Sequence, residues 1–201
     1  MNFVSDETMR LPPQVTHFAW CSLVAVALAR LDGRIGADTA EQAFLLRWLQ
    51  QAQREKRFSR DVAPVILALI RLGQVKTSST RLKHCLQYYW ELGAGLLSQH
   101  SDMYRLHCAL TLLQLDGWQN AFAASQKKGE GRTASFPKGK GVLVDAKAMR
   151  SVFDEQGHQR EPLVLEIEGT TAAVQAILGH CGFHCSLSNA IPQQLIIAPD
   201  A

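Results

Sequence analysis

Two hydrophobic periods divide this chain, and neither a single helical bundle nor a single sheet satisfies both. Over the first 125 residues apolar side chains recur every three or four positions, the spacing of one helix face. Beyond residue 141 they alternate, as on a half-buried strand. The stretch between, residues 126–141 (QKKGEGRTASFPKGKG), has no apolar period and reads as a linker. The expected fold is therefore α+β and predominantly helical. It has a helical domain over 1–125, a basic Gly/Lys linker over 126–141 and a small α+β domain over 142–201.

The first part punctuates itself into about five helices. Pro12-Pro13 opens the first, with Phe18, Cys21, Val24, Ala25 and Leu28 as its expected inner stripe, and Asp32-Gly33 ends it. Asp38-Thr39 with Gln42 forms a capping-box pattern for the second. Ser59 caps a third with Pro64 early in it, Thr77-Ser78-Ser79 starts a fourth, and Ser101 or Asp102 starts a fifth that stops at Asp116-Gly117. Short connectors make successive helices antiparallel neighbours. The second part reads as a βαβαββ unit. Its strands are Val142–Val144, 163–168, 183–188 and 195–197; one helix carries Met149, Val152 and Phe153, and another runs from Thr170 or Thr171 to Cys181.

A hydrophobic content of 47% is enough for a real core. The opening Met1-Asn2-Phe3-Val4-Ser5-Asp6-Glu7 lacks the basic start and apolar core of a secretion signal. The most apolar run, Phe18 to Leu31, is read as too short to span a bilayer. Five cysteines, an odd number without disulfide-scaffold spacing, suggest reduced thiols. A cytoplasmic protein with no membrane association is expected. Its net charge of +3 is uneven: the helical part carries +3, the linker +4 and the last sixty residues −4.

Four of the five cysteines directly follow a histidine, at His84-Cys85, His107-Cys108, His180-Cys181 and His184-Cys185, where chance gives about 0.2 such pairs. Both residue types are zinc ligands. His180, Cys181, His184 and Cys185 form the candidate metal locus, because on a continuous helix the i, i+4 pairs would share faces. Gly179 and Gly182 break that helix, however, and 183–188 alternates as a strand. If helices four and five form a hairpin, His84 and His107 are offset by about 10 Å along the axes, too far for shared ligation. Packing explains the pairs better: each cysteine falls on its element's apolar face and each histidine at the polar edge. No cofactor is expected, with zinc as the alternative. Glu166 and Glu168, which share a face of their strand, read as the solvated side of a sheet whose other face is Leu163, Leu165 and Ile167.

The basic residues give the second candidate. Arg47, Arg54, Lys56, Arg57 and Arg60 gather around the end of the second helix, and Lys127, Lys128, Arg132, Lys138 and Lys140 lie in the linker. Together they are a candidate phosphate-tracking surface. No phosphate-loop, Gly-x-Ser-x-Gly or His-Glu-x-x-His motif occurs, and no catalytic residue is nominated.

Several segments resemble DUF2913, a bacterial family known only as a domain of unknown function. They are Trp20–Ala25 with Asp32-Gly33, Phe44–Leu49 with Lys56-Arg57-Phe58, and Leu97–Asp102 with Asp116–Asn120, all in the helical part. The resemblance implies a cytosolic bacterial accessory protein and makes Trp48, Arg57 and Trp118 part of the family pattern; it implies no activity. The expected function is non-enzymatic macromolecular interaction, with protein or nucleic acid as partner. The first alternative is nucleic-acid binding through the basic helix end and linker. The second is a His/Cys metal-binding protein or metal-dependent enzyme.

Overall fold

The computed structural model describes residues 11–36, 38–75, 81–123 and 139–199. Among these the α+β expectation holds: seven α-helices accompany a five-stranded mixed sheet. The chain forms two compact units, and the described parts of each are residues 11–97 and 98–199.

The first unit holds α1 (Pro13–Leu31), α2 (Asp38–Arg54), α3 (Ala63–Gln74) and α4 (Leu82–Ala94). Proline at the first turn of α1 and of α3 costs no hydrogen bond there, because the first N–H groups of a helix have no intrahelical acceptor. The buried side of α1 is Val15, Phe18, Ala19, Ser22, Val26 and Ala29. This corrects the expected stripe, in which only Phe18 was right for full burial; Leu28 is half exposed and Leu31 almost wholly so. Because α1 is apolar nearly all round, its sequence carries little information about which side faces in. The small residues decide: Ala19, Ser22 and Ala29 face inward where the helices approach closely. At one such point Gly93 of α4 abuts Thr16. Starting at Pro13, α1 has 19 residues and by length and composition alone is apolar enough to cross a membrane. That corrects the reading of this run as too short. In this fold α1 packs chiefly on α4 and also on α2.

Polar ties complete the unit. Glu41 on α2, 5% exposed, accepts from Arg30 at 2.6 Å and from Lys83 at 3.4 Å, linking α1, α2 and α4. Gln42 Oε1 accepts the backbone N–H of Leu82 at 3.0 Å and so caps α4, whose own N-cap residue Arg81 supplies no side-chain acceptor; the other half of the expected capping box falls on side chains outside the described residues. The side chains of Asp38 and Thr39 and residues 76–80 lie outside the described residues. Gln42→Ala is expected to lower stability by about 1 kcal/mol, the usual worth of a lost N-terminal cap. Urea unfolding followed by helical circular dichroism reads this, and an unchanged midpoint would refute the cap.

The second unit begins with α5 (Asp102–Leu115), whose N-cap Ser101 accepts from the N–H of Tyr104. It continues through β1 (Gln119–Ala123), β2 (Gly141–Asp145), α6 (Ala146–Ser151), β3 (Leu163–Glu168), α7 (Thr171–His180), β4 (Cys185–Leu187) and β5 (Gln194–Ile197). The sheet order is β1-β2-β3-β5-β4, with β1 parallel to β2 and every other pair antiparallel. Each expected element of the βαβαββ unit is present in its order. However, α6 ends at Ser151, so Val152 and Phe153, expected on it, are buried just beyond its end, and β4 is shorter than the expected 183–188. Leu163, Leu165 and Ile167 are buried and Val164 and Glu166 exposed, so the two glutamates occupy the outer face as expected. The short β1, before the linker, was not expected; Phe122 in it is 58% exposed, so it lacks the buried alternation that marks a strand.

The placement of α5 with the first four helices is corrected. It packs on α7 and β1, and its polar residues explain why. Asp102 accepts the N–H of Gln159 at 2.7 Å and pairs with Arg105. Arg105, 7% exposed, donates to the carbonyls of Gly182 (2.8 Å) and Cys181 (3.4 Å) and lies 4.8 Å from the ring centre of Phe183. Met103 N–H bonds the Gly157 carbonyl at 2.9 Å. The bonds from Asp102 and Arg105 reach residues 57 to 77 positions away in sequence, where helical periodicity gives no guidance.

Candidate basic cleft at the end of helix α2

Helix α2 stops by a six-to-one closure: Arg57 N–H bonds the Ala52 carbonyl at 3.1 Å and Lys56 N–H the Gln53 carbonyl at 3.3 Å. The pattern requires a left-handed residue at Lys56, and its φ is 53°. Glycine is the usual occupant, since a side chain there costs about 1 kcal/mol. Lys56 is the only non-glycine residue with positive φ among the described residues.

The turn walls a cleft of about 250 Å³ that runs to the start of α3. Its floor is apolar, formed by Ala52, Phe58, Ala63 and Ile66; Gln53, Lys56, Ser59 and Arg60 supply the polar rim. Phe58 is held from behind by Phe18, edge-on at 5.1 Å, and by Trp48 at 6.0 Å. Helix α3 has no side-chain cap at Val62, so its first N–H groups add partial positive charge near Ala63.

Arg54, Lys56, Arg57 and Arg60 are all exposed in this region, against Glu55 and Asp61. Arg57 pairs with Glu55 at 2.6 Å. Hydrogen bonds from Gln51 and from Arg57 hold the Glu55 carboxyl below its ordinary range. Lys56 and Arg60 make no ion pair among the described residues, which leaves two uncommitted cations at the cleft. Arg47 lies two turns before Arg54 on the same side of α2. The linker residues Lys127, Lys128, Arg132 and Lys138 fall outside the described residues. Lys140 belongs to the second unit, 3.8 Å from Asp116 and 5.8 Å from the Trp118 ring centre. The structure thus gathers Arg54, Lys56, Arg57 and Arg60 on one turn, while Lys140 has a local role. The cleft floor and the left-handed lysine leave no readable trace in the sequence, because both arise from how the turn closes.

The His-Cys locus is not gathered. Helix α7 ends at His180, and Gly182, at φ 83°, turns the chain through the same six-to-one closure, with Phe183 N–H on the Leu178 carbonyl at 3.0 Å. The continuous helix that would align His180 with His184, and Cys181 with Cys185, does not exist. Cys181 is buried, His184 is exposed, and Cys185 is half buried on β4 with its thiol pushed up to about 11 by burial. His84-Cys85 and His107-Cys108 lie in different units. Among the described residues no group of three or more His, Cys, Asp or Glu could hold a metal ion. Cys85, Cys108 and Cys181 are buried while His84 and His107 are exposed, as the packing account requires; Cys21 and Cys185, expected on apolar faces as well, are only half buried, and Leu187 on the short β4 is exposed.

A family model described as "Protein of unknown function (DUF2913)" matches residues 14–184. No curated protein and no solved structure matches the chain significantly. The matched region runs from α1 through α7, so it includes the basic turn and most of the sheet as well as the helices that carry the resemblance in sequence. The chain belongs to the DUF2913 family of proteins of unknown function.

Proposed function

We propose that this chain is a non-enzymatic cytoplasmic interaction protein whose partner is a nucleic acid, contacted through its phosphates by the basic turn after α2. One observation carries the reading. Lys56 occupies a backbone position that favours glycine, on the rim of a cleft it shares with Arg60, which has no ion pair among the described residues. Local strain retained at an exposed, charged residue fits a binding role better than a folding one. The apolar floor beside the two cations suits a sugar or base edge next to a phosphate.

Fluorescence anisotropy of the full chain with a labelled single-stranded and a labelled duplex oligonucleotide tests this at several salt concentrations. Affinity should fall steeply with salt, and Arg60→Gln should reduce the logarithmic slope by about one phosphate equivalent. Lys56→Gly should weaken binding while leaving stability unchanged or raised by up to about 1 kcal/mol, since it relieves the left-handed strain. Absence of binding to both probes at low salt would end the nucleic-acid reading.

A further inference from the structure

The thiols of Cys108 and Cys181 lie 3.9 Å apart, Sγ to Sγ, 73 residues apart in sequence. Cys108 is on α5 and Cys181 caps the end of α7; their exposures are 0% and 1%. We infer that this pair is an oxidation site that a small peroxide converts to an intramolecular disulfide joining α5 to the α7 turn.

The sulfurs are already in contact, so bond formation needs them to close by about 2 Å, to the usual 2.03–2.05 Å. The two cysteines differ in access. Cys108 sits mid-helix, whereas Cys181 is on the last turn of a ten-residue helix, followed by Gly182. Opening of such a terminal turn costs far less than global unfolding. Arg105 holds the turn shut through its bonds to the Cys181 and Gly182 carbonyls, which sets how often the sulfur meets solvent. When it does, the deprotonated Cys181 sulfur attacks the peroxide O–O bond, taking one oxygen as sulfenic acid and releasing water after proton uptake. On reclosure the Cys108 sulfur displaces that hydroxyl, forming the S–S bond and a second water. Two thiols and one hydrogen peroxide thus give one disulfide and two waters. A peroxide fits these steps best, because its product on Cys181 is a single added oxygen that still lets the turn reclose on Cys108, whereas a mixed disulfide with glutathione would leave a tripeptide in the buried site.

The test uses the full chain carrying Cys21→Ser and Cys185→Ser, which removes the two half-buried thiols and leaves Cys85, Cys108 and Cys181. After hydrogen peroxide treatment, alkylation in denaturant should find one thiol, at Cys85. Mass spectrometry should find a peptide linking Cys108 to Cys181 and a loss of two hydrogens, restored by dithiothreitol. Adding Cys108→Ala should abolish the link, and Cys181→Ala should do so independently if the first variant folds poorly. Persistence of all three thiols would overturn the inference, as would oxidation of Cys181 to sulfinic acid with Cys108 left reduced.

Discussion

Arg105→Ala is expected to destabilise the second unit by about 3–5 kcal/mol, the range for breaking a buried ion pair by removing one partner. The guanidinium satisfies the Asp102 carboxylate and two backbone carbonyls at the end of α7 at once. With it gone, Asp102, whose side chain is 14% exposed, keeps only its bond from Gln159 N–H among the contacts described, and the carbonyls of Cys181 and Gly182 lose a charged donor. The pH dependence follows. Burial pushes the Asp102 carboxyl up, but the Gln159 N–H and Arg105 outweigh it and hold the carboxyl below its ordinary range. A lowered folded value means stability that is fully present above the unfolded value of about 3.9 and lost as pH falls through the folded one. The gap between wild type and Arg105→Ala should therefore be full at neutral pH and narrow below about pH 4. Urea unfolding at pH 7 and at about pH 3 reads both quantities. A loss under about 1 kcal/mol, equal at both pH values, would show that this hub contributes little to the fold. Replacing both charged partners with apolar residues of similar size should recover part of the loss, because the penalty comes from stranding one charge rather than from lacking both.

What the sequence made legible was whatever depends on period and local turn chemistry. Ser101 caps α5, Gly182 ends α7, and 163–168 alternates with Leu163, Leu165 and Ile167 inward, each as its residue types dictate. The buried cysteines and exposed His84 and His107 were equally readable from helical phase. What stayed hidden was long-range. Nothing near Asp102 or Arg105 announces Gln159 or Gly182 as partners, so α5 looked like the last member of the first bundle. The inner face of α1 differs from the expected stripe because a helix apolar all round has no preferred side until a neighbour supplies one. At the candidate site, composition exposed the basic cluster but not its organisation. That Lys56 is left-handed, that Phe58 floors a cleft and that Arg57 is tied to Glu55 follow from the closure of one turn.

That neighbour for α1 is α4, and the point where they come closest should show the second large effect. Gly93→Ala in an isolated helix would be favourable by about 1 kcal/mol, because alanine is the better helix former. Here a Cβ at Gly93 would stand 1.8 Å from Thr16 Oγ1 and 2.8 Å from both Thr16 Cβ and Cγ2. No real contact is that short, and Thr16 is β-branched and stiff about its first torsion, so it cannot simply swing away. The helices must separate, opening the packing around Phe18 and Ala19, which are fully buried. Overpacking of this kind costs about 1–3 kcal/mol, occasionally more, and outweighs the propensity gain. Gly93→Ala is accordingly expected to lower stability by about 1–2 kcal/mol, and Gly93→Val, which adds two methyls more than alanine and has a lower helix propensity than alanine, by about 3 kcal/mol or more. Thermal and urea unfolding of both variants measure this. Thr16→Ala removes the 1.8 Å contact but leaves the 2.8 Å one to Cβ, so the double variant with Gly93→Ala should recover only part of the loss, a coupling of about 1 kcal/mol. If Gly93→Ala proved as stable as the wild type or more so, helix propensity would govern this position, and the close approach of α1 and α4 would not be what glycine is there to permit.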